Sequence, residues 1–247
     1  MIHGGPGAAG EMAPVAQILA KDWGVLEPWQ TARSLTGQVE ELKSTLEENG
    51  KLPVTLVGYS WGAWLSFIMA AHYPALVKKL ILVSSGPFAE TYARQVHNTR
   101  LARLNEQERE EIKLLSGKLA DPTAPDKDAA LARFGELFSK ADAFDYLSDL
   151  SFEMSINSDI FNKVWPEALD LRKSGKLLAL AQQVKCPVVA LHGDHDPHPA
   201  DGVQKPLSAA LKDFRFHVLE RCGHKPWQEK QARDNFFAIL QEELNKG

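Results

Sequence analysis

The chain has 247 residues, of which 44% are hydrophobic and 24% charged, and a formal net charge of −4. That size suits one large α/β domain or a core carrying an insertion. The mild acidity argues against nucleic acid or an anionic membrane surface as the main partner. No apolar run approaches the roughly 20 residues needed to span a bilayer. The opening residues, Met1 to Gly7, show neither the basic nor the apolar region of a secretory signal.

In chain order, His3-Gly4-Gly5-Pro6-Gly7 leaves room for only Met1-Ile2 as a preceding strand, and a helix is expected through Val15, Ile18 and Leu19. Residues 23–27 read as a short strand. Thr36 is expected to cap a helix with Val39, Leu42 and Leu46 on its apolar face, ending at Asn49-Gly50. A β-branched run over 54–59 precedes a helix over 61–72, and Leu80-Ile81-Leu82-Val83 reads as a buried strand. Residues 88–183 carry little strand signal. Asn105 with Glu108 forms a capping-box pattern there, and further helices are expected over 127–141 and 157–173. Strands return at 187–191 and 214–219, separated by a helix over 202–211, and 227–245 reads as a closing amphipathic helix. This alternation implies a mostly parallel sheet with helices on both faces. Its core is expected at 1–87 and 184–247, with 88–183 as a helical cap over the C-terminal edge of the sheet. Cys186 and Cys222 fall at opposite edges of such a sheet, so no disulfide is expected and a reduced, cytoplasmic setting is.

The chemistry centres on Gly58-Tyr59-Ser60-Trp61-Gly62, a strand-to-helix turn with a serine at its apex. Such a turn strains the serine backbone and stands its hydroxyl at a helix N-terminus, where unpaired N–H groups favour developing negative charge. A serine hydroxyl needs a base, normally histidine. His224 follows strand 214–219, while Asp194 and Asp196 follow strand 187–191 as candidate acids. Parallel strands bring all three loops to one edge.

On these residues the chain resembles the α/β-hydrolase fold superfamily, in its proline iminopeptidase-like branch. The matching segments are His3-Gly4-Gly5-Pro6-Gly7, the Ser60 turn, His192-Gly193-Asp194-His195-Asp196 and Gly223-His224. The resemblance implies a serine hydrolase with Ser60 as nucleophile, His224 as base and Asp196, three residues after its glycine, as the acid. It also implies that the N–H groups of Gly5 and Trp61 form an oxyanion hole. Relatives carry further strands before the His-Gly-Gly-Pro-Gly loop. Those strands are largely absent here, so the loop is expected to be weakly anchored.

The implied reaction is acyl transfer on an ester or amide, with no cofactor. The partner is a small-molecule or short-peptide substrate, without nucleic acid or membrane. Aminopeptidase action would require carboxylates in the cap, and Glu153 and Glu167 are available. An esterase stands beside it. A noncatalytic ligand-binding or interaction protein is the alternative from another class. The His- and Asp-rich loop 192–198 also holds metal-ligand types, although one loop rarely completes a coordination sphere.

Overall fold

In the computed structural model the described residues are 1–147 and 154–246. The chain begins with β1 (Ala8–Ala9), α1 (Ala13–Leu19), α2 (Leu35–Asn49), β2 (Val54–Tyr59), α3 (Trp61–His72) and β3 (Val77–Val83). A helical stretch follows: α4 (Glu90–Ala93), α5 (Val96–Ala102), α6 (Glu106–Ala120) and α7 (Lys127–Asp142). Then come β4 (Ser155–Ile156), α8 (Ser158–Lys173) and α9 (Lys176–Ala179). The alternation resumes with β5 (Val188–Gly193), α10 (Asp201–Ala210), β6 (Phe214–Leu219) and α11 (Arg233–Asn245).

The main sheet has the order β2-β3-β5-β6, and each neighbouring pair is parallel. Alternate residues divide between the two faces, as the two-residue period of a strand requires. Leu56, Leu80, Leu82, Val188 and Ala190 join α2, α3 and α10 in one apolar cluster. Val57, Ile81, Val83, Val189 and Leu191 join α1 and α11 in the other. Both faces of β3 and β5 are thus covered, which explains their continuous apolar runs.

The helical stretch between β3 and β5 behaves in two ways. Residues on α6 and α7 gather in small clusters of their own, around Leu104, Ile112 and Leu137 and around Leu119, Ala130 and Leu131. Helices α8 and α9 instead contribute Ile160, Val164, Ala168 and Leu177 to the main core, and Trp165 stacks on Trp64 of α3. The Asn105–Glu108 capping box forms with both hydrogen bonds in place.

Four local expectations need correction. Residues 23–27 make no strand, because the Leu26 carbonyl accepts from the Met1 amino group rather than from a neighbouring strand. Ser34, not Thr36, caps α2, its hydroxyl accepting from the Gly37 N–H at 3.1 Å. The closing helix begins at Arg233, preceded by a 3₁₀ turn at Pro226–Gln228. The fourth is the loop at residues 3–7. Ile2 pairs in parallel with Gly58, its N–H donating to Val57 at 2.8 Å and its carbonyl accepting from Tyr59 at 3.0 Å. Beyond the loop, β1 pairs antiparallel with β4, and the Asn157 N–H donates to the Gly7 carbonyl at 2.8 Å. The loop is thus held at both ends, to β2 before it and to β4 and Asn157 beyond it.

That anchoring explains the second glycine of the Ser60 turn. A Cβ on Gly62 would run into the carbonyls of Ile2 and His3, and one on Gly58 would run into the Gly62 carbonyl. Gly62→Ala should therefore force the two backbones apart and destabilise the fold by about 1–3 kcal/mol, the usual cost of overpacking. Urea unfolding of the variant beside the parent chain measures it.

Candidate active site

Ser60 joins β2 to α3 with φ 52° and ψ −113°, a conformation that side chains rarely adopt. Its N–H is held by the Val83 carbonyl at 3.0 Å, so the turn is tied to the neighbouring strand. The sharp reversal points Oγ away from the sheet edge, where His224 Nε2 meets it at 3.0 Å.

His224 lies in the loop after β6. Its N–H donates to the Asp142 carbonyl at 3.0 Å. The preceding Gly223 N–H donates to Glu229 Oε1 at 2.9 Å, and the same carboxylate accepts from the N–H groups of Phe144 and Asp145 at 2.9 and 2.7 Å. Glu229 is buried and pins the His224 loop to the end of α7. On its other side, His224 Nδ1 lies 2.6 Å from Asp196 Oδ2. Of the two candidate acids the structure brings Asp196 to His224. Asp194 instead accepts the Cys222 N–H at 3.1 Å and fixes that loop.

Asp196 sits among three imidazoles. Oδ1 accepts from the His198 N–H and lies 2.9 Å from His198 Nδ1, and His192 Nε2 stands 3.6 Å from Oδ2. Burial alone would raise this carboxyl, but His224, His198 and His192 outweigh it and hold it well below the ordinary carboxylate range. An ionised carboxylate only accepts, so the facing Nδ1 atoms of His224 and His198 carry the protons. That leaves His224 Nε2 free to accept from the Ser60 hydroxyl. His198 is itself pushed down to about 4 by burial and is neutral near pH 7. Of the metal-ligand types in the 192–198 loop, Asp196 and His198 gather with His224, their ligand atoms within 4.8 Å of one another. His192 Nε2 meets the His198 carbonyl, and His195 turns toward Phe144.

The Gly5 and Trp61 N–H groups find no acceptor among the described residues, and both residues line the cavity beside Ser60. Gly5 adopts φ +52°, which favours a residue without Cβ. His3 is buried and its Nδ1–H donates to the Gly4 carbonyl at 2.8 Å, which structures the loop.

Two cavities meet at Ser60, Trp61, Arg100, Trp165 and His198. The larger, of about 1030 Å³ among the described residues, runs under α7 and is walled by Leu131, Phe134, Phe138, Phe144, Ile156 and Phe161. The smaller, of about 180 Å³, lies toward Trp64 and Pro87. Carboxylates on the larger cavity are already paired. Glu11 meets Lys225 at 2.9 Å, Asp142 takes Arg100 through two bonds of 2.7 and 2.5 Å, and Glu136 takes Arg133 at 3.0 Å. Glu167 is not among them, since its Oε2 accepts the Leu35 N–H at 2.8 Å outside the cavity. Glu153 lies outside the described residues.

Residues 3–239 match the model of the alpha/beta hydrolase family. The chain belongs to this family. A proline iminopeptidase of Lactobacillus crispatus is 23% identical over 235 residues, covering 84% of this chain and 71% of that one. The crystal structure of VinJ superposes with a TM-score of 0.66 at 17% identity, covering 99% and 89%. That of a proline iminopeptidase from Mycobacterium smegmatis gives 0.60 at 19%, covering 99% and 88%. Among the described residues of this alpha/beta hydrolase, no helix is long and apolar enough to cross a membrane.

Sequence reasoning missed two residues at this site. His198 stood in a loop dense in His and Asp, where nothing distinguished it, and Glu229 was absorbed into the expected closing helix. A carboxylate two residues past Trp227, outside any apolar face, is the one signal that could have marked it.

The burial of His198 fixes how stability depends on pH. An unfolded histidine takes up its proton near 6.5, whereas His198 in the fold does so near 4. The folded state thus binds fewer protons across that window, and stability falls as pH drops through it. Asp196 acts in the same direction at lower pH. Its contribution is complete above its unfolded value of about 3.9 and is lost as pH falls through its lower folded one. The His198 share is on the order of 3 kcal/mol. Guanidinium unfolding at about pH 7 and about pH 4 should show His198→Asn losing less stability than the parent by roughly that amount.

Proposed function

We propose that this chain is a serine hydrolase acting by acyl transfer, with Ser60 as nucleophile, His224 as base and Asp196 as the acid that orients it. The observation that carries the reading is the unbroken series from Ser60 Oγ through the His224 imidazole to Asp196, at 3.0 and 2.6 Å, mounted on a turn of positive φ. Ser60 Oγ attacks the substrate carbonyl carbon as its proton passes to His224 Nε2. The N–H groups of Gly5 and Trp61 take up the oxyanion, where each such donor is worth about 3–4 kcal/mol. The bond to the leaving group breaks, and the group departs with the proton held by His224. Water then attacks the acyl-enzyme, gives its proton to His224, and the acid leaves as Ser60 regains its hydrogen. Asp196 keeps its charge throughout and stabilises the imidazolium. The helical stretch 88–183 serves in this reading as the cap that shapes the substrate site.

The cavity supports an uncharged ester with a bulky apolar acyl or alkyl part. Aromatic and aliphatic walls favour burial of such a group. A peptide N-terminus would require a carboxylate free to hold its ammonium group, and the carboxylates described on this cavity already hold Lys225, Arg100 and Arg133. Breaking the buried Glu11–Lys225 or Asp142–Arg100 pair to bind a substrate would be costly, whereas the Glu136–Arg133 pair is exposed. The names of the proline iminopeptidase relatives favour a second reading, removal of an N-terminal residue from a short peptide.

Two experiments test these statements. A fluorophosphonate probe should label the parent chain and not Ser60→Ala, and His224→Ala should lower kcat by on the order of 10⁴-fold or more. Labelling that survives Ser60→Ala removes the serine mechanism. For substrate class, kcat/KM should rise with acyl length across p-nitrophenyl esters and exceed that for prolyl p-nitroanilide by at least about tenfold, the ratio given by 1.4 kcal/mol of transition-state binding. The reverse order would establish the peptide reading.

A further inference from the structure

The hydrogen bonding around Asp196 leaves one participant without a role in the reaction above. Oδ2 belongs to His224. Oδ1 is taken by a single residue twice, through the backbone N–H and the Nδ1–H of His198, both at 2.9 Å. The His198 carbonyl in turn accepts the His192 Nε2–H at 2.7 Å, and its ring lies against the His224 ring with centroids 4.5 Å apart and planes tilted by 31°. His198 is therefore fixed from behind by a buried imidazole, bonded in front to the carboxylate, and in contact at its side with the base.

A carboxylate turns readily about its last side-chain torsion, whose distribution is broad. Its orientation has to be imposed by what bonds to it. A backbone N–H on Oδ1 defines one direction. A second donor on the same oxygen closes off rotation and leaves Oδ2 directed at His224. We propose that His198 is a positioning residue for the Asp196–His224 pair, setting the plane of the carboxylate through its side chain. This inference rests on the serine-hydrolase reading. His198 remains a neutral donor near pH 7 because burial depresses its protonation, so the arrangement adds no positive charge beside the base.

The test compares His198→Ala, His198→Asn and His198→Gln with the parent chain. Asparagine places an amide N–H close to the position of Nδ1, glutamine carries it one carbon too far, and alanine removes it. Alanine should lower kcat toward a p-nitrophenyl ester about tenfold, with KM within about twofold, since the lost bond orients the base and does not touch substrate. Asparagine should restore most of the rate, and glutamine should behave like alanine. Proton NMR gives a reading independent of turnover. The low-field resonance of the His224 Nδ1–H on Asp196 should move upfield in the alanine and glutamine variants and return in the asparagine one.

An unchanged kcat and an unchanged resonance in His198→Ala overturn the proposal. So does an asparagine variant no better than glutamine, with both losing activity only in step with their melting temperatures. If alanine fails to fold, the asparagine–glutamine contrast decides. Fluorophosphonate labelling separates this inference from the one beneath it. A parent chain unlabelled at Ser60 ends the hydrolase reading and this one with it, whereas a labelled parent matched in rate by His198→Ala ends this one alone.

Discussion

Two stretches of main chain cross at the Ser60 turn with no side chain between them, and the site depends on that crossing. Gly62 lies so close to the carbonyls of Ile2 and His3 that a single added carbon would collide with both. The approach lets a short bridge hold the Gly5 loop against β2, and Gly5 and Trp61 line the same cavity as Ser60. The parallel sheet supplies the rest. Strands that all run one way deliver the ends of β2, β5 and β6 to one rim, so residues 60, 196 and 224 meet without any long excursion of chain.

Charge at this rim is arranged by desolvation and compensation together. Asp196 is buried, and a buried carboxylate remains ionised only when cationic or donor groups surround it. Three imidazoles do so, although the burial that makes the carboxylate costly also keeps His198 and His192 neutral. His198 and His224 each present an Nδ1–H to the carboxylate, while the Nε2–H of His192 goes to the His198 carbonyl. The same economy appears in the larger cavity. Glu11 and Asp142 each face a cation, which leaves an apolar chamber with little net field despite its ionisable lining.

How much of this was legible in the sequence varied with the range of the interaction responsible. The Ser60 turn was legible because its constraint is local: two glycines at fixed spacing between a β-branched run and a helical apolar pattern. The strands were legible because burial on both faces leaves continuous apolar runs in the chain. Asp196 over Asp194 followed from family spacing, and the geometry brings the same residue to His224. Residues 23–27 were misread because apolar content was taken as evidence of pairing, whereas no ladder forms there and the Leu26 carbonyl accepts from the Met1 amino group. The anchoring of the Gly5 loop was underestimated because one residue of pairing is invisible as a strand. His198 and Glu229 escaped because their contributions depend on which way a side chain turns after folding. Glu167 shows the converse error: a carboxylate in the right segment, spent on a helix N-terminus and absent from the cavity lining.

Glu229 ties the backbone at 144–145, part of the wall beside Phe144, to the loop that carries His224. One carboxylate with three N–H donors is a junction with no slack. Pulling Phe144 and Asp145 outward would strip that buried group of two donors and leave the third, on Gly223, to carry its whole charge. The wall at Phe144 and the loop behind the imidazole therefore share one fastening, and a change that loosens either segment loosens the other.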